Sequence, residues 1–405
     1  MRPILRATVV LAALAASAVP GAAQRSSGRM EVVGRGPVTW TRSTGLAVFR
    51  GRDGKDYAYT GTFGSCQGCA RGRMYAWDVS DPARPTLTDS LVVDARVVND
   101  VAVNAEGTLA IVTREGAESR RNGVVVLDLA DPAHPKPAAD YWETLTGGAR
   151  AVAIEGTHAY VVDQGTSELV ILDLANPADP REVGRWGVPE SPERFLNDVS
   201  VKDGIAYLAY WDDGVVIVDV GNGVRGGTPE KPRMAAQFRY RVEWRGERYG
   251  NTGAVFPYAG ASGRRYLFVA DHLLEPGANL GRRFATGGYV HVMDVTNPED
   301  PREVATYEVS GAGVHAVWAE ADTLYAAAWT GGVRAVDISG ELRGALRGRE
   351  IAALETLDER TAVPGVPFAW SVVPHNGHVF ATDFNSGLWI ARVAPAGGSG
   401  GAAPE

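Results

Sequence analysis

A short phrase recurs along this chain: an apolar run that reaches an aspartate, then one more apolar residue, then a turn. Its clearest copy is Gly214 to Val220, Gly-Val-Val-Ile-Val-Asp-Val. Others end at Asp78, Asp128, Asp173, Asp294 and Asp337, and a seventh, Gly387 to Val393, has Ala391 in the aspartate's place. The steps between these positions are 50, 45, 46, 75, 43 and 54 residues. A period of about 45 residues with one long insertion predicts a four-stranded β-unit repeated around an axis, the blade of a propeller.

One unit shows the order of its parts. Asp198 to Val201 reads as a first strand, and Lys202-Asp203-Gly204 as a turn. Ile205 to Tyr210 reads as a second strand, Val215 to Val220 as a third and Met234 to Tyr240 as an outer one. The third is apolar almost throughout, as expected of a strand buried on both faces. Seven such units follow from about residue 44 to 393, and the last has only three strands of its own. Met30 to Val33 is expected to supply the fourth and close the ring, removing an exposed sheet edge. The fold class is therefore all-β, a seven-bladed β-propeller spanning residues 24–394.

The repeated aspartate has a structural explanation. Asp81-Pro82, Asp131-Pro132, Asn176-Pro177 and Asn297-Pro298 follow it closely. A carboxylate at a strand end accepts backbone N–H groups from such a turn. Six copies at equivalent places do not make one catalytic centre.

The ends of the chain differ from the rest. Arg2 and Arg6 flank the start of an apolar stretch, Ile4 to Leu14, and small residues follow from Ala15 to Ala23. This is the pattern of an export signal over residues 1–23, and it predicts a protein of the periplasm, cell surface or extracellular space. Residues 395–405 are rich in Gly, Ala and Ser and are expected to be a disordered tail. The formal net charge is −8, which argues against nucleic acid or anionic lipid as partners. No other stretch has the uninterrupted apolar length of a membrane span. A monomer is expected.

The phrases Leu169-Val-Ile-Leu-Asp173 and Val215-Val-Ile-Val-Asp219 are similar to the LVIVD repeat of bacterial β-propeller proteins. The ending Phe368-Ala-Trp370-Ser-Val372, with Phe380-Ala-Thr-Asp383-Phe-Asn385-Ser-Gly387-Leu388-Trp389, resembles the last repeat of secreted choice-of-anchor B type proteins. The resemblance implies a propeller in the cell envelope or outside the cell. It implies no particular reaction.

Propeller geometry selects the candidate site. Strands one and two of a blade are antiparallel, so residues entering the first and leaving the second share one face of the disc. Entering are Thr44, Asn99, Asp100, Arg150, Asn197, Asp198, Asn251, His315 and Trp370; leaving are Arg114, Asp163, Trp211, Asp212, Asp271, His272, Trp329, Asp383 and Phe384. The opposite face collects ordinary turn residues such as Glu155-Gly156. Aromatic walls with a few placed polar groups suit a protein, peptide or small-molecule ligand.

Two loops decorate the same face. Gly61 to Arg73 contains Cys66 and Cys69, the only cysteines, and in an exported protein these are expected to form a local disulfide. One Cys-x-x-Cys pair is weak evidence for zinc, and Ala70 stands where haem attachment needs histidine. His272 to Gly288 has the length of a lid or a plain insertion. No nucleophile elbow, phosphate loop, zinc-protease motif or dinucleotide fingerprint is present. The leading expectation is a non-enzymatic binding module with its ligand on the channel face. The alternative is a metal-dependent hydrolase or oxidoreductase with a divalent cation in the channel. Its ligands would come from Asp100, Asp198 and Asp271 for calcium, or from His272 and His315 for a transition metal.

Overall fold

In all seven copies the recurrent phrase is the third strand of an antiparallel run of four; four of these runs are separate sheets, the fifth carries one added strand, and the last two join into one eight-stranded sheet. The computed structural model describes residues 28–38, 41–64, 72–189, 194–244, 247–249, 251–275, 277–279, 281–361 and 363–394. The expected export signal over residues 1–23, the expected tail over residues 395–405 and both cysteines with their expected disulfide lie outside the described residues.

Unit 1 comprises Arg42–Arg50, Asp56–Phe63, Arg73–Asp78 and Thr86–Val92. Unit 2 comprises Val101–Val103, Leu109–Arg114, Gly123–Asp128 and Lys136–Tyr141; unit 3, Ala149–Glu155, His158–Asp163, Glu168–Asp173 and Arg181–Trp186. Unit 4 is Leu196–Lys202, Ile205–Tyr210, Gly214–Asp219 and Arg233–Phe238; unit 5 is Thr252–Ala259, Arg265–Asp271, Val290–Asp294 and Arg302–Tyr307. Unit 6 is Ala316–Glu320, Thr323–Ala327, Val333–Asp337 and Glu350–Leu354. Unit 7 has Ala369–His375, His378–Asp383 and Gly387–Val393, and its outer strand is Gly28–Pro37 from the other end of the chain.

That closing strand runs antiparallel to Gly387–Val393, with Met30 opposite Val393 and Pro37 opposite Gly387. It is longer than its apolar core suggested. Gly28 and Arg29 also pair in parallel with Ala352 and Ala353 of unit 6, so the closure ties two neighbouring units together. First strands contact one another in cyclic order from unit 1 through unit 7 and back to unit 1. The sheets thus surround an axis, and the fold is a β-propeller.

The core is divided among the blade interfaces. Tyr59, Val98 and Leu127 pack between units 1 and 2, and Ile111, Val126 and Val170 between units 2 and 3. The series continues round to Val373, Phe380 and Ile390 of unit 7, which pack on Leu46, Ala58 and Tyr75 of unit 1. A third strand has a neighbour on both sides, which is why Gly214–Asp219 is buried at every position. No helix among the described residues is long and apolar enough to cross a membrane.

The aspartates sit where the pattern placed them. Asp78, Asp128, Asp173, Asp294 and Asp337 each accept the N–H two residues on, at 2.8–3.0 Å. Asp219 accepts four, from Gly221, Gly223, Arg225 and Gly227. Burial opposes its charge, but these amides hold its pKa below the usual carboxylate value. Ala391, which breaks the pattern, is buried beside the closing strand opposite Val32.

Candidate functional site at the mouth of the channel

The ring of first strands encloses a channel of about 620 Å³, lined by residues from all seven units. Its shaft is built largely of small and apolar side chains, among them Ala47, Ala102, Ala153, Ala254 and Ala316. Polar and aromatic groups gather at the end where first strands begin.

Their placement has a backbone cause. Five first strands carry a register shift at this end: between Ser43 and Leu46, Ala149 and Val152, Leu196 and Asp198, Thr252 and Ala254, and Ala369 and Ser371. A bulge leaves a residue outside the ladder and re-aims its side chain. Thr44, Arg150, Asn197, Gly253 and Trp370 occupy these positions, and Asn99 and His315 complete the ring in units 2 and 6.

Ring residues bond to the next blade. Thr44 Oγ1 donates to Val98 O, Asn99 Nδ2 to Arg150 O at 2.7 Å, and Asn197 Nδ2 to Gly253 O. His315 Nδ1 lies 2.7 Å from Trp370 O. A carbonyl only accepts, so Nδ1 carries the proton and Nε2 is the bare nitrogen. Asp100 accepts the Val152 N–H at 3.0 Å and Asp198 the Val255 N–H at 3.1 Å, each across a blade boundary. Asn-Asp before a first strand therefore serves the joint between blades as well as the channel wall.

The sequence of bonds is interrupted at Gly253, which has no side chain. The His272 ring takes that space: a Cβ on Gly253 would lie 2.9 Å from His272 Nδ1. Trp211, His272, Trp329 and Phe384, all just after a second strand, form a layer beside the ring. His272 packs on His315 with centroids 5.3 Å apart, on Trp211 at 5.8 Å and on Trp329 at 5.9 Å. His315 lies 4.1 Å from Trp370, and Trp370 stacks on Phe384 at 4.9 Å. The loop after His272 joins this layer as a small hairpin, Leu273–Leu274 with Thr286–Gly287, and its buried Phe284 stacks on Phe368.

The electrostatics follow from enclosure. Burial lowers the His315 pKa to about 3, with Arg150 adding to the effect, and lowers that of His272 well below its ordinary value. Both imidazoles are neutral at pH 7. His272 Nδ1, His315 Nε2 and the indole nitrogens of Trp211 and Trp329 are buried and have no hydrogen-bond partner among the described residues. Burial also raises the Asp198 carboxyl to about 7, with Asp100 contributing, and raises Asp100 itself. Arg150 donates from Nε to Asn197 Oδ1 at 2.7 Å, while its two terminal nitrogens make no hydrogen bond or ion pair with a described residue. Its guanidinium lies 5.6 Å from the centre of the Phe195 ring.

Four residues expected on the channel face turn into their blades instead. Arg114 pairs with Asp140 at 3.2 Å. Asp163 pairs with Arg185 at 3.2 Å and caps Gly165. Asp383 accepts from Phe368 N, Thr356 Oγ1 and Ser386. Asp271 accepts from Tyr240 at 2.5 Å and meets His291 Nε2 at 2.9 Å, while His291 Nδ1 meets Glu303 at 2.6 Å. Burial works against charge on His291, but the hydrogen bonds it donates to Asp271 and Glu303 outweigh that and raise its pKa to about 9. The physical reason is the period of two along a strand: the last residue of strand two points into the blade, and the next points to the mouth.

Residue choice alone missed Gly253, Phe195, Tyr240, His291 and Phe284. Gly253 was recoverable by aligning the starts of the seven first strands. Phe195 and Phe284 lie in loops, whereas His291 stood in a copy of the recurrent phrase as a polar residue within its apolar run. Of the residues considered as ion ligands, His272 and His315 stack on one another, whereas Asp271 is held in its blade and Asp198 on a backbone amide. Among the described residues no group of three or more His, Cys, Asp or Glu converges as metal ligands would.

The fold has solved counterparts. The crystal structure of the computationally designed Ika8 protein matches with a TM-score of 0.53 at 11% identity, over 90% of this chain and 100% of that one. The β-propeller domain of Cps50 (Swd1) from Myceliophteria thermophila matches with a TM-score of 0.57 at 11% identity, over the same shares. At these identities the likeness concerns the fold alone. No curated protein matches the chain. The LVIVD repeat family model matches residues 146–187 and 196–223, which fall on units 3 and 4. Units 3 and 4 are thus similar to the LVIVD repeat, in line with the resemblance carried by Leu169 to Asp173 and Val215 to Asp219.

Proposed function

We propose that this protein is an exported binding module whose ligand enters the mouth of the central channel. One observation carries the reading. Buried polar atoms without partners, on His272, His315, Trp211 and Trp329, are gathered beside a guanidinium whose terminal nitrogens are also unpaired. Buried polar groups are normally satisfied, and a cluster of exceptions calls for an explanation. A ligand that bonds to them supplies one. Export rests on the leader-like pattern of residues 1–23.

The ion-centred alternative has less support. A cation in the mouth faces Arg150, and although His272 and His315 stack there, no third His, Cys, Asp or Glu among the described residues joins them as a ligand.

The test is a thermal-shift screen of small molecules against the full chain and against His315→Asn. Asparagine keeps a donor for Trp370 O and removes the free Nε2. Compounds that stabilise the wild type are expected to lose that shift in the variant. Shifts of equal size in both proteins would place the ligand elsewhere.

A further inference from the structure

Among the described residues that line the channel, Arg150 is the positive side chain at the mouth, and its orientation is specific. Asn99 bonds to the main chain of Arg150, and Asn197 fixes the Arg150 Nε. Asn197 is fixed in turn on Gly253 O. Phe195 lies under the guanidinium, 5.6 Å from its ring centre. What remains is the outer edge of the fork, with two terminal nitrogens unpaired. A guanidinium held by Nε presents that edge for bidentate recognition of a planar oxyanion.

The surroundings narrow the class. Asp100 and Asp198 line the same channel, so a second negative charge on a ligand meets repulsion. A single negative charge matches the single guanidinium. From Arg150 an aromatic path runs through Phe195 and Trp211 to His272, with centroid distances of 5.1 Å and 5.8 Å. Flat aromatic walls beside a placed charge favour a ligand with a planar or apolar body.

We infer that the mouth takes a small organic monocarboxylate, its carboxylate on the outer edge of Arg150 and its planar or apolar body on the aromatic wall of Trp211, His315 and Trp370. This deepens the binding reading above and rests on it. It assigns a ligand class to a guanidinium that feels Asp100 and Asp198 at a distance but whose terminal nitrogens bond to no described residue.

The experiment is calorimetric titration of the full chain with benzoate, benzamide and inorganic phosphate, repeated on Arg150→Gln, Arg150→Lys and His315→Asn. Melting curves verify that each variant is folded. Benzoate is expected to bind at least tenfold more tightly than benzamide or phosphate. Arg150→Gln is expected to remove that preference, and Arg150→Lys to keep only part of it, since a point charge lacks the fork. Equal binding of benzoate and benzamide, or benzoate binding unchanged in Arg150→Gln, overturns the carboxylate assignment. If His315→Asn still abolishes binding in that case, the mouth remains the site and only the ligand class is wrong. Phosphate binding more tightly than benzoate overturns the monoanion argument. No benzoate binding at millimolar concentration overturns the inference outright, while the wider screen continues to test the mouth.

Discussion

The two faces of this propeller solve different problems. On the turn face, six units end their third strand in aspartate, and every one accepts the amide two residues on. On the mouth face, the seven ring positions hold Thr44, Asn99, Arg150, Asn197, Gly253, His315 and Trp370, with only asparagine used twice. In those six units the turn after the third strand presents an amide at the same place, so the same carboxylate answers it each time. The ring positions face an axis, where a side chain meets only its neighbours and whatever enters the channel. Uniformity marks the residues that build blades, and variety marks those free to do something else.

This contrast can be broken most directly at its strongest point. Asp219→Ala removes a fully buried carboxylate together with all four of its amide bonds and is expected to cost about 3–5 kcal/mol. Asp128→Ala, at an exposed site with one amide partner from Ala130, is expected to cost about 1 kcal/mol. Urea unfolding of both variants measures the gap. Equal losses would mean that the aspartates act by something other than capping amides.

The second prediction concerns a mouth-side carboxylate that turned inward. Asp271 is fully buried against His291, and His291→Ala leaves that charge uncompensated, at an expected cost of about 3–5 kcal/mol. The folded pKa of His291, about 9, lies above its unfolded value. Its contribution is therefore fully present below about pH 6.5 and lost as pH rises through about 9. Unfolding curves from pH 6 to 10 are expected to show that decline in the wild type and a flatter profile in the variant. A wild-type curve without it would place His291 among the neutral groups.

Gly253→Ala tests the gap in the ring. The new Cβ meets the His272 ring, and the expected cost is about 1–3 kcal/mol. The double variant with His272→Ala should recover part of it, and failure to recover would assign the strain elsewhere. The smallest effect is a gain. Asp198 is harder to ionise in the fold than in the unfolded chain, so its share of stability is present below about pH 4 and lost as pH rises through about 7. Asp198→Asn keeps an acceptor for Val255 N–H and is expected to raise the melting temperature at pH 8 by roughly 2–4 °C. Little change is expected at pH 4, and an equal gain at both would show that ionisation is not the cause.

Much of the architecture is legible because it repeats. The apolar run ending in Asp219 states that a strand has neighbours on both faces, and the recurrence of that run states that the neighbours are copies. The missing fourth strand of unit 7 points to Met30 to Val33, and the structure pairs Met30 with Val393. The mouth was legible as a set of positions and less so as a set of side chains. Asn99, Arg150, Asn197, His315 and Trp370 line the channel as expected, whereas Arg114, Asp163, Asp271 and Asp383 are held within their blades.

What the sequence by itself determined is the β-repeat, the carboxylate-capped turns and the closure by the N-terminal strand. These rest on local chemistry and on periodicity, both of which are written along the chain. Which mouth residues reach the axis was decided only by the tertiary structure. Neighbours in a strand point to opposite sides, so Asp271 and His272 part company across one peptide bond. A one-residue bulge resets that alternation without leaving a mark in composition, and it turned Arg150 toward the channel.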